Sequence, residues 1–309
     1  MKTCLLIYNP NSGKYNKEEM LPEIKKIIEQ HRYVVDIMKT EYKGHATEIV
    51  SNCTPYDLII SIGGDGTFNE VMTGNFNRKD RLVLCHLPSG TTNDVGTMWG
   101  YGKNILNNLK LALNGEIKRI DICTINGKPF VYSAGFGKFM TVPYETPRKL
   151  KKRLGHLAYI KEGIKDFFRK VKLYDISYTI NNEESRGLFS FILITNANRV
   201  AGINNFYKDI KLNDNQFEIL MCNITHLRDI VKTLYFFAKY DASKIPGFYF
   251  YKTDNFKFKF NLEIKKPLCV DGESLEDFTG NYEIKIDHDV HVLMPSKNVK
   301  ELFIKETED

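Results

Sequence analysis

The run "PYDLIISIGGDGTFNE", Pro55 to Glu70, limits the possible folds more than any other stretch. Leu58 to Ile62 is an unbroken apolar run, too short for a helix. It stops at Gly63, Gly64 and Gly66, three glycines in four residues. That pattern predicts a buried strand ending in a turn poor in side chains. Glycine lets a backbone turn sharply and come close to a ligand. Successive N–H groups in such a turn, and the N-terminus of a following helix, cradle phosphate oxygens. Asp65 is out of place beside an anion unless it faces a cation, such as Mg²⁺ carried by a nucleotide. A tight turn with an incidental acid is the plain structural alternative.

The flanking sequence repeats this arrangement. "TCLLIYNP", "YVVDIMKT" and "RLVLCHLP" read as strands. "KEEMLPEIKKIIEQH", "GHATEIVSNC" and "TFNEVMTGNF" read as helices from their apolar spacing. Strands alternating with helices imply a parallel, doubly wound sheet, whose ligands bind at the carboxyl ends of the strands. Two further loops fall at such ends. "NPNSGK" follows the first strand at Asn9-Pro10, and its Ser12 and Gly13 offer a small phosphate loop without a Walker A pattern. "PSGTTND" follows the fourth. There Gly90, the Thr91 and Thr92 hydroxyls and Asp94 suit phosphate or metal-bound water, while Asn93 and Asp94 equally suit helix capping.

After "RIDICTINGKPFVYSAGFG" the rhythm changes. "YDISYTI", "LFSFILITNA", "FEILMCNI", "FKFKF" and "YEIKID" are strands, and "HLRDIVKTLYFFAKY" is an interrupting helix. A run of strands after βα units predicts a second, β-rich domain. The expected division is 1–125 for the α/β domain, with the tail 292–309 packing back on it, and 126–291 for the β-rich domain.

Composition excludes several classes. With 42% hydrophobic and 27% charged residues the chain is globular rather than disordered. No stretch approaches 18 uninterrupted apolar residues, so no membrane-spanning helix is expected. "MKTCLLIYNPNSGK" lacks the features of a secretory signal, and the expected location is the cytoplasm. Cys4, Cys53, Cys85, Cys123, Cys222 and Cys269 include no C-x-x-C pair, and free core thiols are expected. The net charge of +6 favours anionic partners without indicating nucleic acid.

"NPNSG", "GGDGTFNE" and "PSGTTND", in that order, resemble the diacylglycerol kinase catalytic-domain family, in particular soluble bacterial lipid kinases. "SAGFG", "LGHLAY", "DIKLNDNQFEIL" and "CVDGE" extend the resemblance over nearly the whole chain. It implies an α/β nucleotide domain and a β-sandwich domain with the active site in the cleft between them. It also implies transfer of the ATP γ-phosphate to a lipid hydroxyl, with diacylglycerol the leading acceptor and ATP and Mg²⁺ the cofactors. It places the nucleotide on Asn9, Pro10, Ser12, Gly13, Thr40, the residues Gly63, Gly64, Asp65, Gly66, Thr67, Asn69 and Glu70, and the loop of Gly90, Thr91, Thr92, Asn93 and Asp94. Asp65 takes the metal-linked role. The base is implied to be an acid of "DGE"; Asp271 and Glu273 both qualify, with Asp271 placed ahead. A structural metal is implied on the carbonyls of Lys211 and Gln216 and the side chain of Asp214. Here the family's usual Asp-Gly is Asp214-Asn215, and Ala201 stands where glycine is common. Asn tolerates left-handed turns, so the turn is expected to survive.

Arg148, Lys149, Lys151, Lys152 and Arg153 place five positive charges in six residues. They form either a solvated helix face or a docking site for anionic lipid headgroups, which would make the protein peripherally membrane-associated. No nucleic-acid partner is expected, and a homodimer is left open. Two rival functions share part of the pattern: a NAD kinase, through "GGDGT", and a non-catalytic nucleotide-binding regulator that keeps the fold.

Overall fold

A computed structural model describes residues 1–13, 16–137, 140, 171–200, 203–204, 207, 209–225, 247–264, 267–276, 279–297 and 299–304. The basic cluster at 148–153, "LGHLAY", Ala201 and the helix expected over 226–240 lie outside them. The chain divides into two compact units. One comprises Met1–Ile122, Lys211–Asp214 and His288–Asp309; the other comprises Cys123–Ile210 and Asn215–Asp287.

The first unit begins with β1 (Lys2–Tyr8), α1 (Lys17–Gln30), β2 (Tyr33–Lys39), α2 (His45–Asn52) and β3 (Leu58–Gly63). It continues with α3 (Asp65–Phe76), β4 (Leu84–Pro88), α4 (Asp94–Met98) and α5 (Ile105–Leu113). The strands pair in parallel in the order β2-β1-β3-β4. β3 is buried along its whole length, as a strand covered on both faces must be. α1 turns Ile24, Ile27 and Ile28 inward, the i, i+3, i+4 stripe read from sequence. The register sets Ile7 opposite Ser61, and Gly63 opposite Pro88. The loops after β1, β3 and β4 therefore leave the sheet at one end.

β5 (Glu116–Ile125) leads out of this unit. β6 (Lys128–Phe130), β7 (Ser133–Gly137), β8 (Tyr174–Ile180), β9 (Glu183–Phe189) and β10 (Phe191–Thr195) follow. Then come the short pair β11 (Arg199–Val200) and β12 (Ile203–Asn204), β13 (Phe217–Cys222), β14 (Phe248–Thr253), β15 (Asn255–Phe260), β16 (Leu268–Val270) and β17 (Glu273–Leu275). β18 (Asn281–Met294) is the last strand. In the second unit β15 lies between β18 and β8, with β9 beyond. A second antiparallel sheet runs β14-β13-β10-β7-β16-β17. Phe256, Phe258, Ile176 and Ile284 from the first of these pack with Phe136, Ile192, Ile194, Phe217 and Ile219 from the second. Lys257 and Lys259 alternate with the two phenylalanines, which is the period-2 pattern of a strand with one face in a core.

The expected α/β architecture with a second, antiparallel β part is the observed one. Three segments fall differently from the reading by sequence blocks: 123–125 belong with the second unit, and 288–291 and Lys211–Asp214 with the first. The Leu212 carbonyl accepts from the Asp121 N–H at 2.7 Å, and the Leu212 N–H donates to Leu302 at 2.7 Å. None of the six cysteines forms a disulfide, and Cys53 alone is half-buried.

Candidate active site

Three loops at one end of the parallel sheet are bonded into one assembly. The Asn9 N–H donates to the Ile62 carbonyl at 2.9 Å, and Asn9 Nδ2 to Thr67 Oγ1 at 3.2 Å. Ser12 Oγ meets Ser89 Oγ at 2.9 Å. The Ser89 N–H donates to the Gly63 carbonyl at 2.6 Å. Asn93 bonds Gly90 in both directions: its Oδ1 accepts from the Gly90 N–H at 2.7 Å, and its Nδ2 donates to the Gly90 carbonyl at 3.2 Å.

Three glycines of these loops are required by closeness, and a Cβ on Gly63 would lie 2.3 Å from Thr67 Cβ. A Cβ on Gly13, whose φ is +68°, would lie 1.8 Å from the Ser89 carbonyl oxygen, and one on Gly90 would lie 2.6 Å from Gly64 Cα. Gly64 itself has φ −88° and ψ −179°, a conformation open to any residue. It matters as the surface that Gly90 touches.

Asp65 opens α3, and its two oxygens accept from the N–H groups of Asp94 at 3.0 Å and Val95 at 3.2 Å. It therefore caps α4 from a different loop. Asn93 occupies the N-cap position with φ +51° and makes no side-chain cap bond. Asp94 is buried, Thr92 half-buried and Thr91 exposed. The first N–H groups of α3 have no intrahelical acceptor by helix geometry, which makes this end electropositive.

Thr40 is buried after β2, its N–H donating to the Tyr8 carbonyl at 3.0 Å. Glu70 accepts from the Ala46 N–H at 3.3 Å, and its carbonyl accepts from Thr47 Oγ1 at 2.9 Å, so it joins α2 to α3. Pro10 and Asn69 are half-buried. The sequence reading passed over Lys17. It is 2% exposed, and its ammonium donates to the Ser12 carbonyl. A lysine opening a helix just after a glycine loop was the available signal.

Two candidate acids lie in the second unit. Asp271 and Gly272, with φ +48° and +78°, are the two central residues of the β16–β17 hairpin. Positive φ at both positions marks a type I′ turn. The Asp271 carboxylate is 6% exposed and accepts three backbone N–H groups: Val131 at 2.6 Å, Tyr132 at 2.9 Å and Ser133 at 3.1 Å. Its own N–H donates to the Ser133 carbonyl at 2.8 Å. Asp271 thus ties the hairpin to the stretch leading into β7. Glu273 starts β17 and is half-buried.

At the expected structural metal site, Lys211 and Asp214 are half-buried and Gln216 is exposed. Asn215 has φ +61°, so the left-handed turn survives without glycine. The Lys211 ammonium donates to the Glu301 carbonyl.

Comparison with known proteins bears on the same loops. Residues 3–125, which carry all three, match the diacylglycerol kinase catalytic domain. Over those residues the chain is similar to that family's catalytic domain, and curated diacylglycerol kinases align with it over nearly its whole length. It is 29% identical over 305 residues to "Diacylglycerol kinase" of Bacillus subtilis (strain 168), covering 98% of this chain and 99% of that one. It is 29% identical over 307 residues to "Diacylglycerol kinase" of Staphylococcus aureus (strain bovine RF122 / ET3-1), covering 98% and 96%. A crystal structure of a diacylglycerol kinase from Bacillus anthracis str. Sterne superposes with a TM-score of 0.76 at 23% identity, covering 95% of this chain and 97% of that one. At that identity the match shows the fold. Among the described residues no helix is long and apolar enough to cross a membrane.

Proposed function

We propose that the protein is a lipid kinase that transfers the γ-phosphate of ATP to the free hydroxyl of diacylglycerol, giving phosphatidic acid and ADP. The observation that carries the reading is the joined loop assembly. Ser12, Gly13, the start of α3 and the Gly90–Asp94 turn bring the Gly13 amide, the first turn of α3 and the small hydroxyls of Thr91 and Thr92 to one end of the sheet. A triphosphate needs such donors.

Asp65 is the accessible carboxylate of the assembly; Asp94, the other, is buried. A single carboxylate beside phosphate oxygens suits Mg²⁺, which keeps most of its ligands as water and phosphate. The N–H groups of Asp94 and Val95 hold that carboxylate in orientation, so it would hold a nucleotide-borne ion without rearranging. Bound there, the ion would supply neutralisation of the charge shared by the β- and γ-phosphates. The turn at Asn215 is compatible with the proposed structural ion at Lys211, Asp214 and Gln216.

The acceptor oxygen forms a bond to the γ-phosphorus as the bond from that phosphorus to the β–γ bridging oxygen breaks, and ADP leaves. The acceptor proton must go to a base. We assign that role to Glu273, reversing the order given to the two acids from sequence. Both Asp271 oxygens are directed at backbone amides, and Asp271 positions the hairpin that carries Glu273. The loops do no covalent work in this scheme; they align and neutralise.

The test is incubation of the purified protein with radiolabelled ATP and, separately, diacylglycerol, phosphatidylglycerol, sphingosine and NAD. Label in phosphatidic acid is the expected result. Label in phosphorylated NAD would favour the small-molecule kinase, and no transfer with ATP bound would favour a regulator. Omitting Mg²⁺ should abolish transfer. Vesicle binding with the charges at 148–153 neutralised tests the proposed contact with anionic membranes.

A further inference from the structure

Lys17 has no part in the reading above. It opens α1, it is 2% exposed, and its ammonium donates to the carbonyl of Ser12. An ammonium taken out of water is costly, so its retention at this position needs a reason. A clip that fastens α1 to the preceding loop is the simple reason. The geometry of the loop gives it a further consequence.

The Ser12–Gly13 peptide is trans. In a trans peptide the carbonyl and the following N–H point in opposite directions. Drawing the Ser12 carbonyl toward Lys17 therefore turns the Gly13 N–H to the other side. That N–H has no hydrogen-bond partner among the described residues. The other atoms of the turn are already committed. Ser12 N–H and Oγ both donate to the Asn9 carbonyl, at 3.3 and 3.2 Å, and the Asn11 N–H donates to Asn9 Oδ1 at 2.9 Å. Gly13 Cα is pressed against Ser89 at φ +68°. The peptide plane is the element of this turn that Lys17 fixes.

We propose that Lys17 is a positioning residue for the nucleotide phosphates: its buried ammonium holds the Ser12 carbonyl and so aims the Gly13 amide at a phosphate oxygen. The charge adds to the effect, because a buried cation beneath a phosphate loop is poorly screened. The inference rests on the ATP site proposed above and adds a residue to it.

Lys17→Met keeps the stem of the side chain and removes the donor and the charge. Calorimetric titration with ATP, ADP and adenosine, together with melting of the unliganded protein, separates the two roles. The expected result is a rise of about tenfold in Kd for ATP, the effect of losing one charge-assisted contact. ADP should lose less and adenosine nothing. Lys17→Arg should recover part of the ATP affinity. Binding of ATP by Lys17→Met within twofold of wild type, or an equal loss for adenosine, would overturn the proposal and leave the structural clip. Should Lys17→Met fail to fold, hydrogen exchange on the wild-type protein decides: ATP must protect the Gly13 amide, and an unprotected amide overturns the proposal. Failure of wild-type protein to bind ATP at all would instead defeat the site reading itself.

Discussion

A carboxylate oxygen that already accepts backbone N–H groups is badly placed to take a proton from an alcohol. Asp271 has both oxygens so engaged, by three amides between Val131 and Ser133. In Asp271→Asn one oxygen becomes an NH₂ facing an N–H, and leaving such a buried group unsatisfied costs about 1–3 kcal/mol. We expect a lower melting temperature and near-normal kcat in the folded fraction. Glu273→Gln should do the reverse: an unchanged melting temperature and a fall in kcat of about 10²–10⁴-fold. Thermal melts and initial rates on both variants check this. Near-normal turnover by Glu273→Gln would remove it as the base and favour proton loss to the phosphate itself. The sequence showed part of this arrangement. An Asp-Gly pair between two strand-like runs signals a type I′ hairpin. That Asp271 reaches amides some 138–140 positions earlier in the chain is a tertiary fact with no local trace. The role of Asp65 was legible only in part for the same reason, because it caps a helix that starts 29 residues away.

Elements were legible where apolar spacing is regular, as in α1 and β3, and β3 ends at the first of its glycines. β4 contains an oddity that periodicity does not mark. His86 is fully buried, its Nδ1 lies 3.0 Å from Ser61 Oγ on β3, and its ring stacks on Phe68 of α3 at 4.8 Å. Its Nε2 has no partner among the described residues. Burial pushes its pKa down from 6.5 to about 3. The unfolded chain therefore binds a proton that the folded one refuses between those two values. The stability this histidine confers is complete above about pH 6.5 and is lost as pH falls toward 3, by about 1.4 kcal/mol per pH unit. Urea unfolding at pH 7, 6 and 5 should show that slope, over and above the contribution of carboxylates. His86→Leu should flatten it by about one proton. An identical slope in the variant would show that His86 is not the titrating group.

At the scale of the whole molecule, the family match over 3–125 does not coincide with a folding unit. The first unit needs Lys211–Asp214 and the chain from His288 onward. Val292 of β18 pairs in parallel with Leu84 of β4, and Arg81 Nη1 donates to the Asp289 carbonyl at 3.2 Å. Val290, Val292, Leu293, Met294, Val299 and Leu302 are buried. At roughly 1.5–3 kcal/mol for each buried apolar side chain, these six contribute on the order of 10 kcal/mol. Typical domain stability is about 5–15 kcal/mol, so their removal is not tolerable. A fragment of residues 1–125 should lack the dispersed amide spectrum and cooperative melting of a folded domain. Fusing residues 288–304 to its end through a flexible linker should restore both, because the added strand supplies β4 with its missing neighbour. Cooperative unfolding by the 1–125 fragment alone would show that the parallel sheet is self-sufficient. The C-terminal strand would then be an accessory to the first unit rather than one of its structural members.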